Sequence, residues 1–273
     1  MPKGLLIDTV RCTGCRGCQS ACKQWNLLPG WGEAPSDEYD TSFSPTMTNP
    51  PQLNAYTYNH VEFYEIPKDN GEISWHFIHT RCLHCIDPAC VSVCPVGALQ
   101  KFDNGPVVWD RTRCFGCRYC QNACPFDMPK FQWEQAWPKI QKCTFCWNRL
   151  EEGMEPACAK TCPPNAIEFG ERDELLARAH ERIRNNPDKY YDYVYGEHEA
   201  GGTSIMYINA VAPEKLGLNT DVKKEPYPDY TWEFLSKIPI EIAAIAALLG
   251  GTWYFCKKRL EGKASVTSGK EAK

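Results

Sequence analysis

The chain has 273 residues with 30 basic and 34 acidic side chains, a formal net charge of −4 and 17 cysteines. This length suits one large domain or two small ones. The near balance of charge gives no nucleic-acid footprint, and so long a chain is unlike a small secreted disulfide scaffold.

The amino-terminal segment, to about Asn26, predicts a short strand followed by a cysteine-rich loop. The run Met1–Asp8 is too short for a signal peptide, and Cys12 follows at once. Residues 27–55 are rich in Pro, Ser, Asn and Gly and predict an extended surface loop.

Two hairpins are predicted next. Aromatic and polar residues alternate over Asn54–Ile66 and Glu72–Thr80, which predicts the first hairpin. The second, over Leu99–Trp109, turns at Asn104-Gly105. Residues 27–80 therefore form a loop and hairpin insertion ahead of the central segment.

Sixteen of the cysteines fall into four sets of four. They are set 1 (Cys12, Cys15, Cys18, Cys22), set 2 (Cys82, Cys85, Cys90, Cys94), set 3 (Cys114, Cys117, Cys120, Cys124) and set 4 (Cys143, Cys146, Cys158, Cys162). Sets 2, 3 and 4 end in Cys-Pro, and set 3 reads C-x2-C-x2-C-x3-C-P, the run with which bacterial ferredoxins hold a [4Fe–4S] cluster.

This spacing suits a cubane because three cysteines two residues apart let a tight loop wrap one side of it, with backbone N–H groups directed at the sulfurs. In two-cluster ferredoxins the fourth cysteine ligates the other cluster. We expect that cysteine at the start of a helix, with the proline in its first turn, where no N–H donor is needed. The thiolates also require assembly in a reducing compartment.

Three functions compete on the residues alone: an electron-transfer protein, a self-contained iron–sulfur enzyme and a zinc-stabilised scaffold. Structural zinc also uses C-x2-C spacing but takes cysteines in pairs, and set 4 is the most zinc-like. An enzyme would need an open iron, a flavin site or a substrate pocket, and every set has a full complement of cysteines. The pattern favours electron transfer.

Other polar residues accompany the sets. His84 lies inside set 2 and is predicted to be a hydrogen-bond donor rather than a ligand, because four cysteines already fill that set. Cys256 lies outside all sets and is predicted to be a spectator. Eight basic residues either compensate cluster charge or are solvated surface charges: Arg11, Arg16, Lys23, Arg81, Arg113, Arg118, Lys142 and Lys160.

Three elements are predicted between set 4 and the carboxyl-terminal segment. The eleven residues between Cys146 and Cys158 predict a loop. Asp173–Asn185 has apolar residues at helical spacing, with Asp173 as the N-cap. Gly201–Ile208 predicts a closing strand.

The segment Ile238–Cys256 is long and apolar enough to span a bilayer. The basic triplet Lys257–Arg259 predicts a cytoplasmic carboxyl terminus, with the main domain on the opposite, periplasmic or outer, face. Glu241 makes insertion marginal, so an amphipathic or core helix is the alternative. We expect an α+β fold with an iron–sulfur domain at 1–225, a single-pass anchor at 226–260 and a short tail at 261–273.

Several stretches resemble the iron–sulfur subunits of molybdenum or tungsten oxidoreductases, above all the beta subunit of membrane-bound formate dehydrogenase. They are Cys12-Thr13-Gly14-Cys15-Arg16-Gly17-Cys18, Cys82-Leu83-His84-Cys85, Glu155-Pro156-Ala157-Cys158 through Cys162-Pro163, and Gly201-Gly202-Thr203. This resemblance implies tandem ferredoxin-like modules, each with two [4Fe–4S] clusters, and four clusters in all.

The resemblance also implies a nested use of the sets. Cys12, Cys15 and Cys18 would share cluster 1 with Cys162; Cys143, Cys146 and Cys158 would share cluster 2 with Cys22; Cys82, Cys85 and Cys90 would share cluster 3 with Cys124; and Cys114, Cys117 and Cys120 would share cluster 4 with Cys94. Spacing alone does not distinguish this use from four separate sets.

By the same resemblance the chain is a non-catalytic subunit in the membrane that binds no substrate. Electrons would come from a molybdopterin catalytic subunit and leave to a membrane cytochrome b or quinone site. The stretch Asn209–Leu218 resembles equally the electron-transfer subunit of a membrane-bound nickel–iron hydrogenase, so the catalytic partner stays open.

Overall fold

The computed structural model describes residues 2–29, 47–68, 70–133 and 135–268, and it mixes short helices and strands in agreement with the α+β class. The strands are β1 (Lys3–Asp8), β2 (Asn59–Pro67), β3 (Ile73–Arg81), β4 (Leu99–Lys101), β5 (Val107–Trp109), β6 (Lys130–Phe131), β7 (Ile140–Gln141), β8 (Ile167–Glu171), β9 (Val194–Tyr195) and β10 (Ile205–Ile208). The helices are α1 (Gly17–Trp25), α2 (Ala89–Ser92), α3 (Tyr119–Asn122), α4 (Trp147–Glu151), α5 (Ala157–Lys160), α6 (Arg172–Asn185), α7 (Tyr227–Leu235) and α8 (Ile238–Ser268).

A four-stranded sheet in the order β8-β1-β10-β9 organises the amino-terminal unit. Strand β1 runs parallel to β10 and antiparallel to β8, with Leu5 opposite Ile205 on one side and Phe169 on the other. Leu5, Leu6 and Ile7 are fully buried. An unbroken apolar run of this kind is typical of a strand that is covered on both faces.

The two faces of β1 have different neighbours, because successive side chains of a strand point to opposite sides. Leu6 packs with Leu175, Ala179 and Ile183 of α6. Leu5 and Ile7 belong instead to a core that contains several of the cysteines. The sheet therefore lies between α6 and the cysteine loops.

Helix α6 confirms the predicted helix, with one correction at its start. The N-cap is Glu171, whose side chain makes no capping hydrogen bond, and Asp173 lies inside the first turn. An acidic residue in the first turn still complements the helix dipole. The capping prediction was wrong by two residues.

Both predicted hairpins are present. Strands β2 and β3 pair antiparallel from Asn59 with Arg81 to Pro67 with Ile73, so the first strand begins at Asn59 rather than Asn54. Residues Asn54 and Thr57 form an isolated bridge before it. Strands β4 and β5 form the smaller hairpin. Of the predicted loop 27–55, residues 30–46 lie outside the described residues.

Two local predictions were wrong in part. The stretch between Cys146 and Cys158 begins with helix α4 rather than with a loop. After the helix, the amide of Met154 donates back to the carbonyl of Arg149 at 2.8 Å. Strand β10 begins at Ile205 because Gly201 and Gly202 have φ of 81° and 91°, which strands do not accommodate.

The carboxyl-terminal unit, Asp229–Lys273, includes most of α7 and all of α8. The stretch Tyr227–Arg259 is long and apolar enough to cross a membrane, and its best apolar window is not buried at all in the protein. Helix α8 extends beyond the predicted span, since it continues to Ser268.

Candidate metal centres

The first two cysteines of every set are joined by a turn whose last residue before the second cysteine is left-handed. This residue is Gly14 in set 1 and Gly116 in set 3, with φ of 66° and 79°. In sets 2 and 4 it is His84 and Phe145, with φ of 51° and 59°. Residues with side chains rarely adopt this conformation, so its presence in all four sets marks a shared requirement of the loop.

The two kinds of residue at this position have different neighbours. A Cβ at Gly14 would lie 2.8 Å from the ring of Phe77, and one at Gly116 would lie 2.7 Å from the carbonyl oxygen of Pro138. The rings of His84 and Phe145 instead pack on each other, with centroids 4.9 Å apart. The loops of sets 2 and 4 therefore meet in the interior.

The sixteen thiols of the sets gather in four groups. They are group 1 (Cys12, Cys15, Cys18, Cys162), group 2 (Cys22, Cys143, Cys146, Cys158), group 3 (Cys82, Cys85, Cys90, Cys124) and group 4 (Cys94, Cys114, Cys117, Cys120). The last cysteine of every set lies with the first three of another set. The proximity of these thiols is compatible with the nested use that the resemblance implies, and the assignment of one cluster to each group stays a prediction.

Burial and mutual proximity act together on the thiols. The pKa of Cys12 is raised to about 11, mainly by burial and in smaller part by the nearby thiols of Cys162 and Cys15. Burial likewise raises the pKa of Cys120 to about 12, with contributions from its group 4 neighbours. Bare thiols of this kind hold their protons at pH 7, so a bound metal must displace them.

Group 4 lines a cavity. All four of its thiols contribute to the wall, and the remaining lining is mostly apolar, including Leu99, Trp109 and Ile140. A cavity lined by thiols and hydrocarbon, with few other polar groups, has the donor chemistry of an iron–sulfur site.

Backbone and amide donors reach the cysteine that ends each set. The amides of Ala98, Met128 and Ala166 donate to the sulfur four residues earlier, at 3.2, 3.5 and 3.2 Å. Set 1 lacks the proline after Cys22, and there the side-chain amide of Asn26 lies 3.6 Å from the sulfur. Donors aimed at sulfur stabilise a thiolate and fit a cluster ligand.

The position predicted for the fourth cysteine was wrong. The third cysteine of each set lies inside a short helix, as Cys90 does in α2 and Cys158 in α5. The fourth cysteine follows that helix in sets 2, 3 and 4, and lies within α1 in set 1. The Cys-Pro pair therefore lies after the helix, where a proline, which has no backbone N–H, interrupts no helical hydrogen bond.

The spacing of the thiols bears on the zinc alternative. Within the ranges that the structure describes, no three His, Cys, Asp or Glu side chains converge closely enough to hold one metal ion. Tetrahedral zinc with Zn–S bonds of about 2.3 Å needs sulfurs roughly 3.8 Å apart. The described ranges therefore form no single-ion zinc site of this kind.

Two residues of β3, His79 and Arg81, contact the thiols, and the sequence analysis predicted a role only for Arg81. His79, which was not singled out, has Nε2 and Nδ1 each 3.4 Å from a sulfur, that of Cys12 and that of Cys18. Arg81 reaches group 2 from the same face of the strand. The signal was available, because residues two apart on a strand that leads into set 2 must share a face.

His84 is fully buried, and its predicted role as a donor stays a prediction because the hydrogen bond that its ring makes is one that it accepts. Its Nδ1 accepts a hydrogen bond of 2.9 Å from the amide of Val107, so the ring proton lies on Nε2. That Nε2 has no partner within the described part of the protein. An unpartnered buried donor beside a cysteine is an observation that a cluster sulfur would explain.

The eight basic residues near the sets divide into two kinds. Arg81 and Lys142 are each only 2% exposed, and Lys142 Nζ donates to the carbonyl of Cys143 at 3.0 Å. Arg16 and Arg118 lie instead over aromatic rings at 4.7 and 4.8 Å. The sequence did not distinguish the buried cations from the surface ones.

Known proteins resemble this chain along most of its length. Two family models described as a 4Fe-4S dicluster domain match residues 11–98 and 73–172. A protein of Nitratidesulfovibrio vulgaris is 40% identical, over 94% of this chain and 67% of that protein. The nitrate-inducible formate dehydrogenase iron–sulfur subunit of Escherichia coli K12 is 35% identical, over 90% of this chain and 81% of that subunit.

A hydrogenase relative is almost as similar. The hydrogenase-2 operon protein HybA of Escherichia coli O157:H7 is 34% identical, over 79% of this chain and 72% of that protein. Taken with the four groups of thiols, these matches show that the chain belongs to the 4Fe-4S dicluster family of iron–sulfur subunits, which includes those of formate dehydrogenases.

Proposed function

We propose that this chain carries electrons through four [4Fe–4S] clusters between a molybdenum- or tungsten-pterin catalytic subunit of the formate dehydrogenase type and a membrane cytochrome b or quinone site. Groups 1 to 4 hold clusters 1 to 4, one cluster per group of four cysteines. The regrouping of sixteen thiols from four sequence sets into four spatial groups is the observation that carries this proposal.

The contacts between groups support a linear order. Cys18 of group 1 lies close enough to Cys158 of group 2 to be affected by its charge. Cys82 of group 3 packs against Cys22 and Cys143 of group 2. A similar proximity joins groups 3 and 4, where Cys120 affects Cys90. These contacts support a row of clusters from group 1 to group 4.

Bound clusters would supply reversible one-electron storage. The chain's own residues supply the rest: cysteines hold the metal, buried side chains exclude water, and amide donors stabilise the thiolates. Groups at the ends of the row also reach the surface. Cys15 of group 1 is exposed, and Phe115 and Tyr119 beside group 4 are 60% and 59% exposed.

Partner subunits and the membrane complete the proposal. The iron–sulfur domain, 1–225, would contact the catalytic subunit and bind no substrate itself. The segment 226–260 would anchor it in the lipid bilayer by a single span, with residues 261–273 as a tail. The basic triplet after the apolar run supports a cytoplasmic carboxyl terminus and a periplasmic or outer iron–sulfur domain.

A hydrogenase complex is the second candidate. The similarity to HybA supports a nickel–iron catalytic partner for the same row of clusters. Because both kinds of complex feed electrons into a subunit of this family, the chain's internal chemistry is the same in either. The candidates differ in the metal of the partner and in the electron donor.

Anaerobic affinity purification of this chain from membranes, followed by metal and sulfide analysis, tests both levels of the proposal. We expect about sixteen irons and sixteen sulfides per chain for four clusters. Molybdenum or tungsten in the same fractions supports the formate dehydrogenase type, and nickel supports hydrogenase. Zinc at about one ion per set with little iron would contradict the whole proposal.

A further inference from the structure

Arg81 brings a positive charge onto the thiols of group 2. It is the last residue of β3, directly before Cys82, and it is only 2% exposed. Its Nη1 donates to the sulfur of Cys158 at 3.0 Å, and its Nη2 lies 3.4 Å from the sulfur of Cys143. One guanidinium therefore contacts two of the four thiols of this group.

The surroundings give this charge no carboxylate partner. Within the described ranges, Arg81 forms no ion pair with Asp or Glu, and its Nε has no hydrogen-bond acceptor. Burying an unpaired guanidinium is unfavourable, as it is for other buried ions. The anionic counter-charge that offsets this cost must come from the thiolates and the cluster that they hold.

The influence of Arg81 extends beyond the two sulfurs that it contacts. The charge of Arg81 also acts on Cys22 and Cys146, the other two cysteines of group 2. The same charge acts on Cys18, the group 1 thiol that lies beside Cys158. Within the described ranges, the hydrogen bonds of the guanidinium to cysteine sulfurs are confined to group 2.

We propose that Arg81 raises the reduction potential of cluster 2 selectively, so that this cluster accepts electrons more readily than it would beside a neutral residue. The inference rests on the proposed function. A cubane with four thiolates is anionic, and one-electron reduction adds a further negative charge with no bond made or broken. A nearby cation and its N–H···S bonds stabilise the more negative, reduced form.

Anaerobic redox titration of the purified complex, followed by electron paramagnetic resonance, tests this inference with dithionite as the reductant. Arg81→Gln keeps N–H donors but removes the charge, and Arg81→Lys keeps the charge but removes the two-pronged contact. We expect Arg81→Gln to lower the midpoint potential of one cluster, and Arg81→Lys to lower it less. Arg178→Gln, which removes a half-exposed charge that pairs with Glu168, is the matched control and should shift none.

The affected signal is assigned with Cys146→Ser, which should alter cluster 2 alone. Full iron content with unchanged potentials in Arg81→Gln, or an equal shift of all four clusters, would overturn the inference. Wild-type protein without four clusters would instead overturn the proposed function. The two failures are therefore distinguishable.

If the Arg81 variants fail to bind their clusters, a measurement on the wild-type protein still tests the contact between Arg81 and cluster 2. Protein labelled with ¹⁵N-arginine should show a nitrogen hyperfine coupling to one reduced cluster in pulsed electron paramagnetic resonance. Within the described ranges only Arg81 among the arginines donates to a cysteine sulfur. Absence of that coupling would contradict the contact on which the inference depends.

Discussion

At the scale of single residues, the turn before the second cysteine of each set explains why glycine occurs at some of these positions and larger residues at others. All four residues are left-handed, so conformation alone would favour glycine at each. Glycine is required at Gly14 and Gly116, where Phe77 and Pro138 occupy the space of a side chain. His84 and Phe145 occur where two loops meet and their rings fill the interior.

A pair of alanine substitutions separates the effect of space from that of conformation. Gly116→Ala places a Cβ 2.7 Å from a backbone oxygen at φ 79°, whereas Gly153→Ala, at φ 71°, meets nothing within 4 Å. We expect Gly153→Ala to cost about 1–2 kcal/mol and to keep full iron content. Gly116→Ala should cost more and lose about four irons per chain, because its loop holds two cysteines of group 4.

Iron analysis together with urea unfolding under anaerobic conditions measures both effects. The two variants share the same change of residue and nearly the same φ, so the difference between them reports the contact with Pro138. If both variants kept all their iron and unfolded at the same urea concentration, the geometric argument for group 4 would be wrong.

At the scale of elements, a charged network holds α6 onto the sheet. Glu168 of β8 accepts hydrogen bonds from Arg178 at 2.8 Å and from Arg182 at 2.7 Å, and it also pairs with Arg11. Arg182 reaches Asp8 of β1 as well, at 2.8 Å. Strand β1 therefore meets β8 and α6, which lie far from it in sequence, at one cluster of charges on the helix side of the sheet.

Neutralising Glu168 should destabilise the protein in a pH-dependent manner. Burial alone would raise the pKa of Glu168, but the hydrogen bonds from Arg178 and Arg182 outweigh it, so the pKa lies below its ordinary value. A carboxyl with a lowered pKa contributes stability above its unfolded pKa of about 4.3, and this contribution is lost as pH falls through the folded pKa. Glu168→Gln should cost about 1.5–3 kcal/mol at pH 7.

Urea unfolding of Glu168→Gln and wild type, compared from pH 7 down to pH 4 and below, measures this contribution. The difference between the two proteins should be constant near neutral pH and should shrink at the acid end. Glu174→Gln, on the exposed side of the same helix, is the control and should stay within about 0.5 kcal/mol of wild type. A difference that grew as the pH fell would contradict the assigned sign.

At the scale of the whole molecule, the chain divides into a unit that carries the cysteine groups and a helical unit with no buried side chain among its described residues, 229–259. The first comprises Met1–Pro228 and the second Asp229–Lys273. Large apolar side chains of α8 are exposed, among them Ile240 at 72%, Leu248 at 67% and Phe255 at 74%. A helix exposed in this way requires lipid or a partner helix to cover it.

Removing the helical unit should separate membrane attachment from metal binding. A chain that stops after Pro228, expressed alone, is expected in the soluble fraction with the full iron content of the complete chain. The complete chain should remain in the membrane pellet after carbonate washing, and so should a control that stops after Arg259. Recovery of the shortened chain in the washed pellet would contradict the single-span anchor.

The local elements could be predicted to different degrees. Both hairpins and α6 were found because alternation, turn residues and helical spacing are properties of adjacent residues. Helix α4 was missed because five residues are too few to establish a helical period. The strand predicted from Gly201 failed at its start because the φ of two glycines depends on their close neighbours, such as Pro226 beside Gly201.

The sequence by itself determined the kind of ligand in this protein, since the identity and spacing of sixteen cysteines favour a cofactor that thiolates hold. Tertiary structure decided which thiols lie together, because the last cysteine of each set meets the others only after the chain has folded back. It also placed β1 beside β10, about 200 residues later, and brought Arg81 onto Cys158. Contacts of this kind depend on the packing of distant segments, which local spacing does not encode.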